Sequence, residues 1–291
     1  TNDGSRLKRP YIREDGILRK ATWDEALERI KQGLAGRTPG EVAIITSPRG
    51  SNEDQYSAAK FARTVLNTTN IDSALNSDHA LLSQLEVRLG AGAATNPIWD
   101  LEDAKCLLVV AGNPTEEQNV LAVAAKKAVR KEAKMIVIDS RETELTRYAV
   151  EWLRPRPGSE ALLIAGIGRA IFDEALEDKE FVATRIEQGE ALKQSLWAFD
   201  LAKVSRDTGI EESQIRRAAR FFATSDAGAI LLGANGLDDS AAEKLVDAAV
   251  DLSAITGNIG RAFGGIYPLY QGANTLGARE WEPHRVKTGW A

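Results

Sequence analysis

The chain has 291 residues, 43% hydrophobic and 27% charged, the composition of a soluble globular protein with one large domain or two ordinary ones. Its 37 basic and 42 acidic residues give a net charge of -5, which speaks against nucleic acid or an anionic membrane surface as the main partner. A single cysteine, Cys106, excludes an internal disulfide framework and any cysteine-rich cluster or zinc site within these residues, and no apolar run reaches the roughly 18 residues of a membrane span.

Residues 11–34, "YIREDGILRKATWDEALERIKQGL", read as a short hairpin about Asp15-Gly16 followed by a helix. Thr22 and Glu25 form a capping box, with Trp23, Ala26, Leu27 and Ile30 on one face. "EVAIITS" (41–47) is a strand-length apolar run, and "SNEDQYSAAKFARTVLN" is a helix capped by Ser51 or Asn52. The stretch "IDSALNSDHALLSQL" then places His79, one of only two histidines, directly after Asp78. That pair reads either as a helix start or as part of a reactive centre, and a lone histidine needs a partner before it becomes a catalyst.

The clearest unit begins at Ala104. "KCLLVVAGNP" is a buried strand, "EEQNVLAVAAKKAVRKEA" an amphipathic helix with a basic end, and "KMIVIDSRETE" a second buried strand ending in Asp139. Continuous apolar strands around a helix imply parallel pairing and a right-handed crossover. Four helical segments follow, then a third buried strand, "GAILLGANG" (228–236), and a long helix stopped by Gly257 and Gly260. After Arg261 the chain reads as irregular and glycine-rich. The fold class is α/β, with Rossmann-like parallel sheets and flanking helices.

In such sheets ligands bind outside the carboxyl ends of the strands. Here those ends are Asn113, Asp139 and Gly233–Gly236. Asn113–Thr115 opens a helix and can seat a phosphate, Asp139 can accept hydrogen bonds from ribose hydroxyls, and Arg141 can meet a phosphate or stack on a base. Equally, Asn113 and Asp139 can simply cap turns, since the G-x-G-x-x-G fingerprint is absent. The same bland reading applies to Glu160, which opens a helix after "RPRPGS", and to the glycines of "GNIGRAFGG".

Taken together, "RLKRPYIRE…ATWDEAL", "SNEDQY…TTNID", "DLEDAKCLLVVAGNPTEEQNVL", "KMIVIDSRETELTRYAVEWLRPRPGSEALLIAGI" and "AITGNIGRAFGGIYPLYQGANTLGA" resemble the large subunit of the molybdopterin oxidoreductase superfamily. The likeness is to formate dehydrogenase and to the large iron–sulfur subunit of NADH–quinone oxidoreductase, and it covers nearly the whole chain. It implies two lobes of the formate dehydrogenase/DMSO reductase type: a first lobe over 1–100, a dinucleotide lobe over 101–262, and a glycine-rich segment, 263–291, returning to the first. It implies a molybdopterin guanine dinucleotide carrying molybdenum or tungsten, with Asn113 and Thr115 by its phosphates and Asp139 and Arg141 at ribose and guanine. Glu160 would read guanine, and Gly257, Asn258, Gly272 and Asn274 would line the pterin side. Asp78 falls where formate dehydrogenases carry the metal-binding cysteine or selenocysteine, with His79 as the proton acceptor, and Tyr270 falls where they carry the formate-orienting arginine.

These two departures argue against formate oxidation in its usual form, because a carboxylate is a harder ligand than a thiolate and tyrosine brings no charge to a carboxylate substrate. The resemblance therefore favours the large iron–sulfur subunit of an NADH–quinone oxidoreductase, passing electrons from NADH to quinone, in which this region is mainly scaffold and need not hold metal. The alternative is a formate dehydrogenase-like enzyme with Asp78 as metal ligand. Two rivals are a non-catalytic nucleotide-binding module, using NAD through Asn113 and Asp139, and an interaction domain docking through 262–280. The chain begins at Thr1 and reads as a piece of a longer protein, with any iron–sulfur cluster outside it and no redox activity of its own. Its partners would be other subunits of a redox complex, with no nucleic acid and no direct membrane insertion. Its place would be the cytoplasm, with peripheral attachment to the inner face of the cell membrane through those subunits.

Overall fold

A computed structural model describes residues 4, 6–74 and 78–280. The chain divides into two compact units, Thr1–Ala74 with Gly277–Ala291, and Leu75–Leu276.

In the first unit β1 (Tyr11–Glu14) and β2 (Ile17–Lys20) pair antiparallel. Their turn is Asp15-Gly16, both at positive φ, the geometry that matches the twist of a tight hairpin. Helix α1 (Trp23–Leu34) starts with the expected capping box: the Thr22 hydroxyl accepts from Glu25 N, and the Glu25 carboxylate accepts from Thr22 N at 2.7 Å. Then β3 (Ile44–Thr46), α2 (Asn52–Thr64) and β4 (Ile71–Ser73) form a parallel strand–helix–strand unit, with Ser51 as the helix cap.

The second unit holds α3 (Asp78–Leu89), β5 (Cys106–Val110), α4 (Pro114–Glu117), α5 (Asn119–Arg130), β6 (Lys134–Ile138) and β7 (Glu151–Leu153). After these come α6 (Glu160–Asp173), α7 (Lys179–Arg185), α8 (Gly189–Trp197), α9 (Leu201–Thr208), α10 (Glu212–Ala223), β8 (Gly228–Leu232), α11 (Asp239–Ile255) and β9 (Gly265–Pro268). Helix α12 (Thr275–Glu280) follows. One sheet runs β7-β6-β5-β8-β9, parallel throughout.

Both faces of this sheet are covered, which is why its strands are apolar at nearly every position, Lys134 and Glu151 at the starts of β6 and β7 excepted. Side chains alternate: Cys106, Leu108, Val110, Ile136, Ile138, Ile230 and Leu232 enter one core, with α3, α6, α10 and α11. Leu107, Val109, Met135, Val137, Ala229 and Leu231 enter the other, beneath α5. Burial pushes the thiol of Cys106 up to about 12, so this cysteine is a packing residue rather than a reactive one. Arg88 of α3 ties to Asp247 and Asp251 of α11 at 2.8 and 2.5 Å, and Arg217 of α10 to Glu151 of β7 at 2.9 Å.

The irregular tail expected after Arg261 is corrected by β9, a wholly buried strand paired with β8. It falls inside the stretch 263–291 that sequence assigns to a return segment. Four residues between glycines are too short to show a period; non-local pairing makes the strand. The outer edge of β9 is met by Thr95, whose hydroxyl accepts from Ile266 N at 2.9 Å and whose N–H donates to Ile266 O at 3.0 Å.

Candidate nucleotide site at the strand ends

From β5 the chain moves outward to β6 and β7, then returns to the other side of β5 for β8 and β9. The exits of β5 and β8 thus diverge at a topological switch point, where open α/β sheets place ligands. The two exits touch backbone to backbone: Gly233 N donates to Val110 O and Asn235 N to Ala111 O, each at 2.9 Å. A Cβ on Gly233 would lie 2.3 Å from Ala111 O, so only glycine fits. Ala111 itself sits at φ +46°, a strained conformation for a residue with a side chain.

Over these ends lies a cavity of about 430 Å³, walled by Glu117, Asp139, Arg141, Glu160, Asn235 and Gln271 among others. Asp139 ends β6, and one of its carboxylate oxygens accepts from Arg141 N at 2.8 Å. Burial raises its pKa, against the pull of that bond and of the Arg141 charge. Glu160 opens α6 and is 5% exposed. Burial raises its pKa too, and the charge of Asp139 adds to the rise, while hydrogen bonds from backbone N–H groups oppose it. Its Oε2 has no hydrogen-bond partner among the described residues. A buried acceptor left open in a cavity wall is a place for a ligand's N–H or O–H.

Asp78, at the start of α3, is 2% exposed and outside the lining of this cavity. Its Oδ2 accepts from Gln271 N at 2.8 Å and from the Thr275 hydroxyl at 3.2 Å, and the backbone N–H of Gly272 also bonds the carboxylate. Burial nonetheless lifts its pKa to about 6, since desolvation outweighs those donors. His79 is exposed. Tyr270 turns its hydroxyl to Gly92 O. Gln271 reaches Asn235 Oδ1 through Nε2 at 3.3 Å, and Asn235 reaches Glu117 Oε2 at 3.4 Å.

The structure thus brings Asp139, Arg141 and Glu160 into one wall. Asn113 and Thr115 follow β5 but hydrogen-bond each other at 2.6 Å, outside the cavity lining, and α4 carries Glu116 and Glu117 in its first turn. Gly272 and Asn274 belong to the turn that Asp78 holds. Gly257 and Asn258 lie elsewhere, by the start of β8 at the amino end of the sheet. Asn258 Oδ1 accepts from Gly228 N, the start of β8, and its amide donates to Thr256 Oγ1, each at 2.8 Å. These two residues follow the C-terminal end of α11. The wall residues Glu117, Asn235 and Gln271 were not singled out by sequence. Asn235 had a signal in the glycine-flanked exit of β8, whereas Glu117 looked like any helix-surface charge.

Residues 6–288 match the family model for molybdopterin oxidoreductase, and the chain belongs to that family. It is 36% identical over 94% of its length to an F420-dependent formate dehydrogenase 1 subunit alpha of Methanococcus maripaludis, of which the match covers 41%. It is 32% identical over 94% of its length to formate dehydrogenase H of Escherichia coli, covering 39% of that protein. Acetylene hydratase from Pelobacter acetylenicus shares the fold at TM-score 0.64 and 26% identity, over 83% of this chain and 33% of that one. The chain therefore spans about two fifths of the curated relatives it matches. These relatives are formate dehydrogenases, which favours the alternative reading at the sequence level over the large iron–sulfur subunit of an NADH–quinone oxidoreductase.

Proposed function

We propose that this chain binds the guanine-nucleotide arm of a molybdopterin cofactor in a formate dehydrogenase-like oxidoreductase. The observation that carries the reading is the open, buried Glu160 Oε2 beside Asp139 in a cavity at the switch point of a parallel sheet. Guanine offers two N–H donors side by side on its Watson–Crick edge, a match for a carboxylate with one oxygen open; adenine presents no such pair. Asp139 suits a ribose hydroxyl, and Arg141 brings the positive charge that a phosphate needs. The residues present therefore fit the nucleotide arm.

They do not fit the metal in the same way. Asp78 commits its Oδ2 to the 271–275 turn, and among the described residues no three His, Cys, Asp or Glu side chains gather as a metal cage. When bound, the cofactor supplies the electron chemistry of the parent protein. The part of this chain is to read the base, hold the ribose and exclude water at the strand ends. Formate is not assigned as the substrate, because Asp78 and Tyr270 replace the groups that formate dehydrogenases use. Partner subunits are proposed by analogy with the alpha subunits among the relatives.

Titration calorimetry of the 291-residue chain with guanosine diphosphate and adenosine diphosphate tests this. The guanine nucleotide should bind at least tenfold more tightly, and Glu160→Gln should lose about 1–3 kcal/mol of that binding by presenting an N–H to an N–H. Equal affinity for the two nucleotides, or a silent Glu160→Gln, rejects the assignment. Preference for NAD would instead favour the plain dinucleotide module.

A further inference from the structure

At the position where the family resemblance puts a metal ligand, this chain has a carboxylate engaged elsewhere. Asp78 is buried, and its Oδ2 takes hydrogen bonds from Gln271 N and the Thr275 hydroxyl; the Gly272 N–H adds another. These donors lie up to 197 residues away in sequence, in the turn that follows β9. Gln271 is also a wall residue of the strand-end cavity, and its side chain holds Asn235, a second wall residue, which in turn reaches Glu117. A continuous set of hydrogen bonds therefore runs from the start of α3 into the cavity, without Asp78 lining it.

We propose that Asp78 is a positioning residue rather than a metal ligand: it fastens the turn 271–275 and, through Gln271 and Asn235, sets the wall of the nucleotide cavity. The carboxylate replaces a soft ligand with a hydrogen-bond acceptor, and the neighbouring Tyr270 is likewise directed to a backbone carbonyl, Gly92 O. The cost of breaking the clamp is local, since two backbone N–H groups in a buried turn would lose their acceptor.

The inference concerns the same cavity as the proposed nucleotide reading and rests on it for its binding readout. The test uses the full 291-residue chain with Asp78→Ala, Asp78→Asn and Gln271→Ala, read by amide hydrogen exchange at 271 and 272 and by titration with guanosine diphosphate. Asp78→Ala should speed exchange at both amides at least tenfold and weaken the nucleotide about tenfold. Asp78→Asn, which keeps an acceptor oxygen, should restore most of both. Gln271→Ala should weaken the nucleotide similarly, and the double variant no further. Should Asp78→Ala fail to fold, Asp78→Asn against wild type still reads the exchange at 271 and 272, slightly faster if the clamp is real. If wild type binds no guanosine diphosphate, the nucleotide reading falls while the exchange result still decides the clamp. Unchanged exchange in Asp78→Ala overturns the inference. So does additive loss of nucleotide affinity in the double variant. In the parent protein loaded with cofactor, loss of molybdenum or tungsten from an Asp78→Asn variant with intact exchange protection would also overturn it.

Discussion

Glu160 and Asp139 are two carboxylates in one wall, each with its pKa raised by burial and with the charge of Asp139 acting on Glu160. Each holds a proton more firmly in the folded chain than in the unfolded one. From the ordinary carboxylate value up to the raised folded value, the folded state carries more protons, so stability falls as pH rises through that window. Glu160→Gln removes the contribution of one of the two groups. Thermal melts between about pH 4 and pH 8 should show a shallower downward slope for the variant than for wild type; matching slopes would show that Glu160 ionises there without cost. Asp139, Arg141 and Glu160 were legible in the sequence because strand ends and helix starts are local features. The partners of Asp78 were not, because 193 residues separate it from Gln271. Gly257 and Asn258 were ambiguous for the opposite reason: a glycine run at a helix end looks the same whether it borders a cofactor or merely ends the helix.

Among the elements, the buried strands β5, β6 and β8 were readable from their continuous apolar runs, and their parallel order from the intervening helices. The three-residue β7 and four-residue β9 carry no period and owe their existence to the strands beside them. Where β5 and β8 diverge, the contact of Gly233 with Ala111 O is the tightest constraint on the site. Gly233→Ala places a methyl group 2.3 Å from that oxygen and must push the two exits apart. The expected loss is about 2–4 kcal/mol of stability, in the range of other overpacking and strain effects, with nucleotide binding weakened alongside it. Chemical denaturation checks the first effect; a variant as stable as wild type would mean that the exits move freely.

At the scale of the molecule, sequence conveyed the α/β class and the family, because many weak matches in the right order add up. The detailed site did not follow from that order, since family membership carries a scaffold more faithfully than it carries the groups at each position. Among the described residues no helix is long and apolar enough to cross a membrane. The sheet of the second unit is apolar on both faces, which leaves its rim as the exposed risk: an unfilled edge is a template for another chain's backbone. Thr95 occupies both outward-facing groups of Ile266 on β9, acting as a one-residue plug against intermolecular growth. Thr95→Val keeps the shape but withdraws the hydroxyl from Ile266 N. Such a protein should stay folded and yet precipitate sooner in a turbidity assay at raised concentration; precipitation at the native rate would mean that the rim is guarded by something other than Thr95. Earlier precipitation, by contrast, would mean that a single hydroxyl sets how concentrated this chain can become before copies adhere to one another.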